Sequence, residues 1–196
     1  MGKCGYLHLG NIILLILMEY IGIFCSASNT IDQAYFDAAR QLGEWMGSEH
    51  KTLVYGGSNL GLMECIAKAV KDNGGRVIGV IPTKLEKNGR ESLIPDEVIH
   101  TQNLSDRKDT ITEKSDILVA LPGGVGTFDE VFHVMSAATL GYHHKKVVFY
   151  NIEGFYNDLL EVLDKLTREK FARMNISNYY EVANTQDELI RLLENI

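Results

Sequence analysis

A glycine-rich stretch, residues 121–130, combines residue types and a spacing that suit anion binding. Its sequence, LPGGVGTFDE, follows an apolar run at residues 116–120 and precedes an apolar-periodic segment at residues 131–138. The short run predicts a buried parallel strand, and the periodic segment predicts a helix. Glycines between a strand and a helix expose backbone N–H groups at the positive helix end, where phosphate binds readily.

Glu130 lies one turn into this predicted helix and changes the interpretation of the turn. A carboxylate repels phosphate, so a site that only holds phosphate gains nothing from it. A carboxylate beside a phosphate site instead suggests chemistry on the sugar next to the phosphate. Taken alone, Glu130 is explained better as an acid that favours the helix dipole, a common role for glutamate.

Strand-like and helix-like segments alternate along the chain. This alternation predicts βαβ units, and therefore a single Rossmann-like α/β domain of three layers with a mainly parallel sheet. Thr30 is the predicted N-cap of the first helix. Predicted strands cover residues 20–25, 52–55, 76–81, 97–101, 116–120 and 146–150, and predicted helices cover 30–48, 62–72, 104–114, 131–138, 155–167 and 186–194.

Three loops at predicted strand ends carry glycine or small polar residues. They span residues 25–29, 56–61 and 122–127. Ligands of parallel α/β folds bind beyond the carboxyl ends of the strands, where the strand order reverses. We therefore expect the three loops to meet in one crevice, with the polar segment 83–95 lying over it as a mobile loop.

Composition excludes several functional classes. A chain of 196 residues with a formal charge of −7 is sized for one domain and is a poor match for nucleic acid or an anionic membrane surface. Cys4, Cys25 and Cys65 form no Cys-x-x-Cys pair, which predicts neither a disulfide framework nor a metal site and fits a reducing cytoplasm. Basic residues do not cluster, so backbone amides and one or two placed cations are expected to hold any phosphate.

The first seventeen residues resemble a signal peptide only superficially. The apolar run at residues 12–17 is too short to span a bilayer, and no small-residue cleavage site follows it closely. We expect residues 1–17 to be a non-native or disordered extension and residues 18–196 to form the folded domain. A short membrane-targeting tail is the alternative.

With these loops placed, the chain resembles the LOG family of cytokinin-activating phosphoribohydrolases, whose bacterial members were often labelled lysine decarboxylases. The family signature PGGxGTxxE is complete from Pro122 to Glu130, and an Arg-Lys pair precedes it at Arg107-Lys108. The family turn GGG-x-x-GLM is matched by residues 56–63, with Ser58 in place of the third glycine. The strand-one loop FCGSS is matched by residues 24–28, with Ser26 in place of its glycine.

The resemblance implies an enzyme that cleaves the N-glycosidic bond of a nucleoside 5′-monophosphate, AMP or an N6-substituted AMP, to free base and ribose 5-phosphate. It implies that Glu130 and Arg107 are catalytic. It implies no cofactor and no metal, and a cytoplasmic homodimer with an apolar face drawn from Val134, Met135, Ala138, Leu140 and Tyr142, although these residues are equally suited to the core. The substrate-binding residues that it implies are Gly123, Gly124, Gly126, Thr127, Lys108, Ser26, Ser28, Gly56, Gly57 and Met63.

Two other functions are compatible with parts of the pattern. A non-catalytic nucleotide-binding or carrier protein of the same fold needs the glycine loops but neither Glu130 nor Arg107. A decarboxylase needs pyridoxal phosphate on a Schiff-base lysine, and the three glycine loops contain no lysine. The decarboxylase interpretation is therefore disfavoured.

Overall fold

A computed structural model describes residues 20–86, 89–172 and 175–195. The predicted extension, residues 1–17, lies outside the described residues. Within the described ranges, no helix has the length and apolar character needed to cross a membrane. The strands are β1 (Tyr20–Phe24), β2 (Thr52–Tyr55), β3 (Arg76–Pro82), β4 (Glu97–Thr101), β5 (Ile117–Ala120), β6 (Val147–Tyr150) and β7 (Tyr180–Ala183). The helices are α1 (Gln33–Ser48), α2 (Gly61–Asp72), α3 (Thr83–Glu86), α4 (Leu104–Lys114), α5 (Val125–Thr139), α6 (Asn157–Arg168) and α7 (Gln186–Asn195).

The strands form one seven-stranded sheet in the order β4-β3-β2-β1-β5-β6-β7. Every neighbouring pair is parallel, which confirms the predicted Rossmann-like α/β fold. The chain builds outward from β1 to β4 and then returns to place β5 on the other side of β1. The strand order therefore reverses between β1 and β5, and a ligand crevice is expected at the carboxyl ends of these two strands.

An apolar core lies on each face of the sheet, so the domain has three layers. On one face, α1, α2 and α7 bury residues such as Leu42, Ile66 and Leu189 against the sheet. On the other face, α4, α5 and α6 bury residues such as Ile111 and Leu163. Because each strand of the sheet centre is covered on both sides, β2, β5 and β6 are buried along their whole length.

The apolar residues around α5 divide between the core and the surface. Val134, Met135 and Ala138 are buried in the core, so they are not available for the apolar face considered from the sequence. Leu140 and Tyr142 are 71% and 81% exposed. The segment after α5 therefore carries two exposed apolar side chains, and within the helix Val125 and Phe132 are also exposed, at 85% and 40%.

Two local features differ from the predictions. The N-cap of α1 is Asp32, whose Oδ1 accepts a hydrogen bond from the Ala34 N–H at 2.9 Å, and not Thr30. Thr30 instead contacts Ser28, and the hydroxyl oxygens are 3.1 Å apart. The sequence interpretation also missed β7, because four residues at a sheet edge, of which three are half-buried and Ala183 is buried, give too short a pattern to distinguish from a loop.

Candidate active site

A cleft of about 340 Å³ lies at the carboxyl ends of β1, β2 and β5. The loops that follow these strands form its walls together with the first turns of α4 and α5. This position matches the reversal of the strand order between β1 and β5. The lining residues are Cys25, Ser26, Ala27, Gly56, Ser58, Leu60, Met63, Arg90, Leu104, Arg107, Lys108, Gly124, Gly126, Thr127, Asp129 and Glu130.

Hydrogen bonds beyond the strand ends fix the loops on either side of the reversal. The Leu121 N–H donates to the Phe24 carbonyl at 2.9 Å, and the Ser26 N–H donates to the Pro122 carbonyl at 3.2 Å. The buried Tyr156 hydroxyl donates to the Leu121 carbonyl at 2.6 Å. The glycine turn after β5 is therefore held from both sides before α5 begins.

The N-terminus of α5 is open toward the cleft. Its N-cap is Gly124, which has no side chain to accept a hydrogen bond from the first turn. A Cβ atom added at Gly124 or Gly126 would meet nothing within 4 Å. Thr127 is buried at 3% exposure and packs over Gly123, where a Cβ atom would collide with the Thr127 hydroxyl oxygen. Two exposed glycines with open space around them at a positive helix N-terminus make a favourable environment for an anion.

A buried ion pair joins α4 to α5 on the cleft wall. Arg107 Nη1 donates to Glu130 Oε1 at 2.5 Å, and both residues are less than 10% exposed. Arg107 Nε donates to the Val80 carbonyl at 3.1 Å. Gly56 packs directly against this guanidinium, and any side chain there would collide with Arg107 Nη2. The guanidinium is thus held by three separate segments and orients the Glu130 carboxylate.

Glu130 is the carboxyl group of the cleft whose protonation is most affected by its surroundings. Burial raises the pKa of Glu130 above its ordinary value, because an ionised carboxylate loses its hydration. The Arg107 charge and hydrogen bond oppose this shift and favour the ionised form. A raised pKa in a cleft is typical of carboxyl groups that take part in proton transfer.

A second ion pair lies at the mouth of the cleft. Lys108 Nζ donates to both oxygens of Asp129 at 2.9 Å. The Lys108 side chain is 11% exposed, whereas the Asp129 side chain is 55% exposed. Because the carboxylate partner faces solvent, this pair adds less stability than a fully buried pair, and the contact mainly fixes where the ammonium lies.

The structure brings most of the predicted site residues together. Glu130, Arg107 and seven of the ten predicted binding residues line the cleft. The exceptions are Gly57, Gly123 and Ser28. Gly57 has a positive φ of 68° and packs against Ile81, so a glycine is needed at this position for the backbone turn. Gly123 and Ser28 border an adjacent apolar cavity of about 300 Å³ that also contacts Tyr35 and Phe155.

Sequence reasoning did not single out Leu60, Arg90, Leu104 or Asp129, all of which line the cleft. Asp129 precedes Glu130 at a variable position of the signature, which is why the motif gave no signal for it. Arg90 lies in the segment 83–95 that was predicted to lie over the site. Its backbone is fixed to the turn after β2, since the Asn59 N–H donates to the Arg90 carbonyl at 3.0 Å.

Comparisons with known proteins agree with this arrangement. A family model described as possible lysine decarboxylase matches residues 63–193. The chain is 38% identical over 174 residues to the cytokinin riboside 5′-monophosphate phosphoribohydrolase LOG3 of Arabidopsis thaliana, covering 89% of this chain and 81% of the relative. It is also 38% identical over 172 residues to the probable cytokinin riboside 5′-monophosphate phosphoribohydrolase LOGL2 of Oryza sativa subsp. japonica, covering 88% of this chain and 70% of the relative.

Solved structures with the same fold include carrier proteins. The molybdenum cofactor carrier protein of Chlamydomonas reinhardtii superposes with a TM-score of 0.68 at 25% identity and covers 90% of this chain and 96% of its own. A molybdenum cofactor binding protein from Rippkaea orientalis superposes with a TM-score of 0.66 at 23% identity, over 91% of this chain and 96% of its own, and supports the fold alone. The family-model match and the similarity to the plant enzymes over most of both chains establish that this protein belongs to the LOG family.

Proposed function

We propose that this protein is a phosphoribohydrolase that cleaves AMP or N6-substituted AMP to the free base and ribose 5-phosphate. The observation that carries the proposal is the buried Arg107–Glu130 pair, 2.5 Å apart, next to the open N-terminus of α5 in one cleft. A phosphate held at the helix end places the attached ribose within the same cleft as the carboxylate. The named relatives at 38% identity are phosphoribohydrolases, which supports the same reaction.

The proposed chemistry is hydrolysis at C1′ of the ribose. The bond between C1′ and the base nitrogen breaks, a water oxygen bonds to C1′, and the departing base takes a proton. Positive charge develops on the sugar as this bond breaks, as in other glycosidic cleavages. The Glu130 carboxylate stabilises that charge or orients the water, and Arg107 fixes the carboxylate and can polarise the leaving base.

In the proposed complex, the glycine turn anchors the other end of the nucleotide. Backbone N–H groups at Gly124, Gly126 and Thr127 bind the 5′-phosphate, and the Thr127 hydroxyl adds a further donor. Ser26, Gly56, Met63 and Lys108 line the remaining wall. Binding at the phosphate holds the reacting C1′ in position, which converts binding free energy into a lower barrier.

The test is incubation of the purified protein with a panel of nucleoside 5′-monophosphates, with the free base measured by chromatography. We expect release of adenine or an N6-substituted adenine, and a fall in turnover on the order of 100-fold or more for Glu130→Gln. The glutamine side chain has nearly the same size as the glutamate that it replaces, so nucleotide binding should persist. Unchanged turnover in Glu130→Gln would remove the carboxylate from the mechanism.

A carrier function is the second candidate, because the fold is shared with molybdenum cofactor carrier proteins. A carrier needs the open helix end but not the buried pair at Arg107 and Glu130. Tight nucleotide binding without base release from any member of the panel would favour the carrier. Base release that depends on Glu130 would favour the enzyme.

The decarboxylase description of the family model fits the cleft poorly. Among the described residues that line the cleft, Lys108 is the one lysine, and both oxygens of Asp129 engage its ammonium. Decarboxylation with pyridoxal phosphate requires a lysine amine that is available to form a Schiff base. An absorbance spectrum of the purified protein, with or without added pyridoxal phosphate, tests for such an adduct.

We further propose that AMP is the first substrate to test, so that the activity is that of an AMP nucleosidase. We also propose that the protein is cytoplasmic and forms a homodimer. Apolar side chains at the two ends of α5 are exposed, and a second copy would cover them: Val125 at its start is 85% exposed, and Leu140 and Tyr142 after its end are 71% and 81% exposed. Sedimentation velocity is expected to give a species of twice the chain mass. Leu140→Glu combined with Tyr142→Glu is expected to give the monomer, and a wild-type monomer would contradict the proposal.

A further inference from the structure

The charged side chains that line the cleft compensate one another almost completely. Arg107 is paired with Glu130, and Lys108 is paired with Asp129. Each pair joins one cation to one carboxylate, so neither leaves a net charge for a phosphate dianion. The whole chain carries a formal charge of −7, and its long-range field therefore repels an anionic nucleotide.

Arg90 is the charged lining residue that remains after these pairs are set aside. It lines the same cleft, and among the described residues no carboxylate forms an ion pair with it. The neighbouring Glu91 does not belong to the cleft lining. Arg90 therefore gives the cleft its net positive charge.

The backbone around Arg90 is fixed in place. The Asn59 N–H donates to the Arg90 carbonyl at 3.0 Å, and Asn59 Nδ2 donates to the Gly89 carbonyl at 3.1 Å. On the far side, the Ser92 N–H donates to the Gly57 carbonyl at 2.9 Å. These bonds attach the backbone at Arg90 to the turn after β2, so the side chain extends from a fixed point on the cleft wall.

We propose that Arg90 is a specificity-determining residue that makes the cleft select phosphorylated nucleotides and sugars over their uncharged counterparts. The inference rests on the proposed function, and it adds a charge-selecting role that the family signature does not contain. An uncompensated cation in a partly enclosed cleft raises the local concentration of an anion and speeds its association. Because the interaction is electrostatic and partly exposed, salt weakens it.

Ribose 5-phosphate is the direct probe, because it carries the phosphate and does not turn over. Calorimetric titration would compare the wild-type protein with Arg90→Ala and Arg90→Lys at low and high ionic strength. The matched control is Lys84→Ala, which removes an exposed cation of the same β3–β4 connection outside the cleft lining. Steady-state hydrolysis of AMP and adenosine is measured on the same proteins.

For Arg90→Ala we expect ribose 5-phosphate affinity to fall on the order of tenfold at low salt, with a smaller difference at high salt. Arg90→Lys should keep most of the affinity, and Lys84→Ala should keep all of it. The AMP effect should lie in KM, with little change for adenosine. Equal losses for AMP and adenosine, or no loss of ribose 5-phosphate binding, would overturn the proposal.

Failure of the proposed function gives a different result. A protein without hydrolase activity releases no base from AMP, yet its ribose 5-phosphate affinity still reports on Arg90. If ribose 5-phosphate does not bind the wild-type protein at all, the cleft has no anion selectivity and the role of Arg90 is refuted. A loss that Lys84→Ala reproduces also refutes it, since the effect would then come from net charge alone.

Discussion

The starts of α2 and α5 look alike in sequence and differ in the folded protein. Each helix follows a central parallel strand through a glycine-rich turn, at residues 56–61 and 122–127. At α2, Asn29 Oδ1 accepts from the Gly61 N–H at 2.8 Å, and the Ser26 carbonyl accepts from the Leu62 N–H at 2.9 Å. At α5, the N-cap is Gly124, and the space in front of Gly124 and Gly126 is open.

The difference shows what a glycine turn needs in order to bind an anion. The N–H groups of α2 already have acceptors from the loop after β1, so this turn serves to dock that loop. The N–H groups of α5 lie beside open space in the cleft, so they are available to a ligand. We infer that one turn builds the wall of the site and the other binds the phosphate.

The largest expected effect comes from placing a negative charge at the open helix end. Gly126→Asp adds a carboxylate where the phosphate is proposed to bind, and like charges about 4 Å apart near a surface repel by a few kcal/mol. We expect KM for AMP to rise roughly 100-fold. An aspartate in the first turn favours the helix dipole, so the melting temperature should not fall.

Gly126→Ala is the matched control for this substitution. Its added methyl group meets nothing within 4 Å, so it tests bulk without charge. Steady-state kinetics should give a much smaller rise in KM for Gly126→Ala than for Gly126→Asp. A similar rise in KM for both variants would indicate a steric effect. No rise for Gly126→Asp would mean that the phosphate does not bind at the N-terminus of α5.

At the start of α2, where the N–H groups already have acceptors, a substitution should change the stability of the fold and not ligand binding. Gly61 has a positive φ of 59°, and a Cβ atom there would lie 2.5 Å from the Ala27 carbonyl carbon. Gly61→Ala is therefore expected to lower the free energy of unfolding by about 1–3 kcal/mol. Urea denaturation measures this loss, with Gly126→Ala as the control that places the same residue in open space. Equal stabilities of the two variants would contradict the contrast between the helix ends.

Much of this site could be predicted from the sequence because its signals are local. The signature from Pro122 to Glu130 lies within one turn and one helix start, and α4 was predicted with its observed bounds, residues 104–114. The hydrogen bond from the Gly61 N–H to Asn29 Oδ1 could not be predicted, because the two residues lie 32 positions apart in the sequence. The contact between Arg107 and Gly56 likewise depends on how α4 packs over the turn after β2.

The open helix also carries the carboxylate whose pKa is raised by burial. If ionised Glu130 is required, kcat/KM falls about tenfold per pH unit below that pKa, so the acid limb should lie above the ordinary carboxyl value of about 4.3. Asp129 raises the pKa of Glu130 further, so Asp129→Asn should move the limb to lower pH. A pH profile of AMP hydrolysis measures both positions. If the acid limb of the pH profile moved to higher pH in Asp129→Asn, the limb would belong to a group other than Glu130.

The smallest expected effect concerns Asn29, whose side chain distinguishes the start of α2 from the start of α5. Asn29→Ala removes the acceptor of the Gly61 N–H and should lower the free energy of unfolding by about 1 kcal/mol. Asn29→Asp keeps an oxygen acceptor near the positive helix end and should restore that stability. The Ser26 carbonyl still accepts from the Leu62 N–H in both variants, so α2 should not become a second anion site. Calorimetric titration with ribose 5-phosphate should therefore still give one site per chain, and two sites in Asn29→Ala would mean that a single side chain separates the two helix ends.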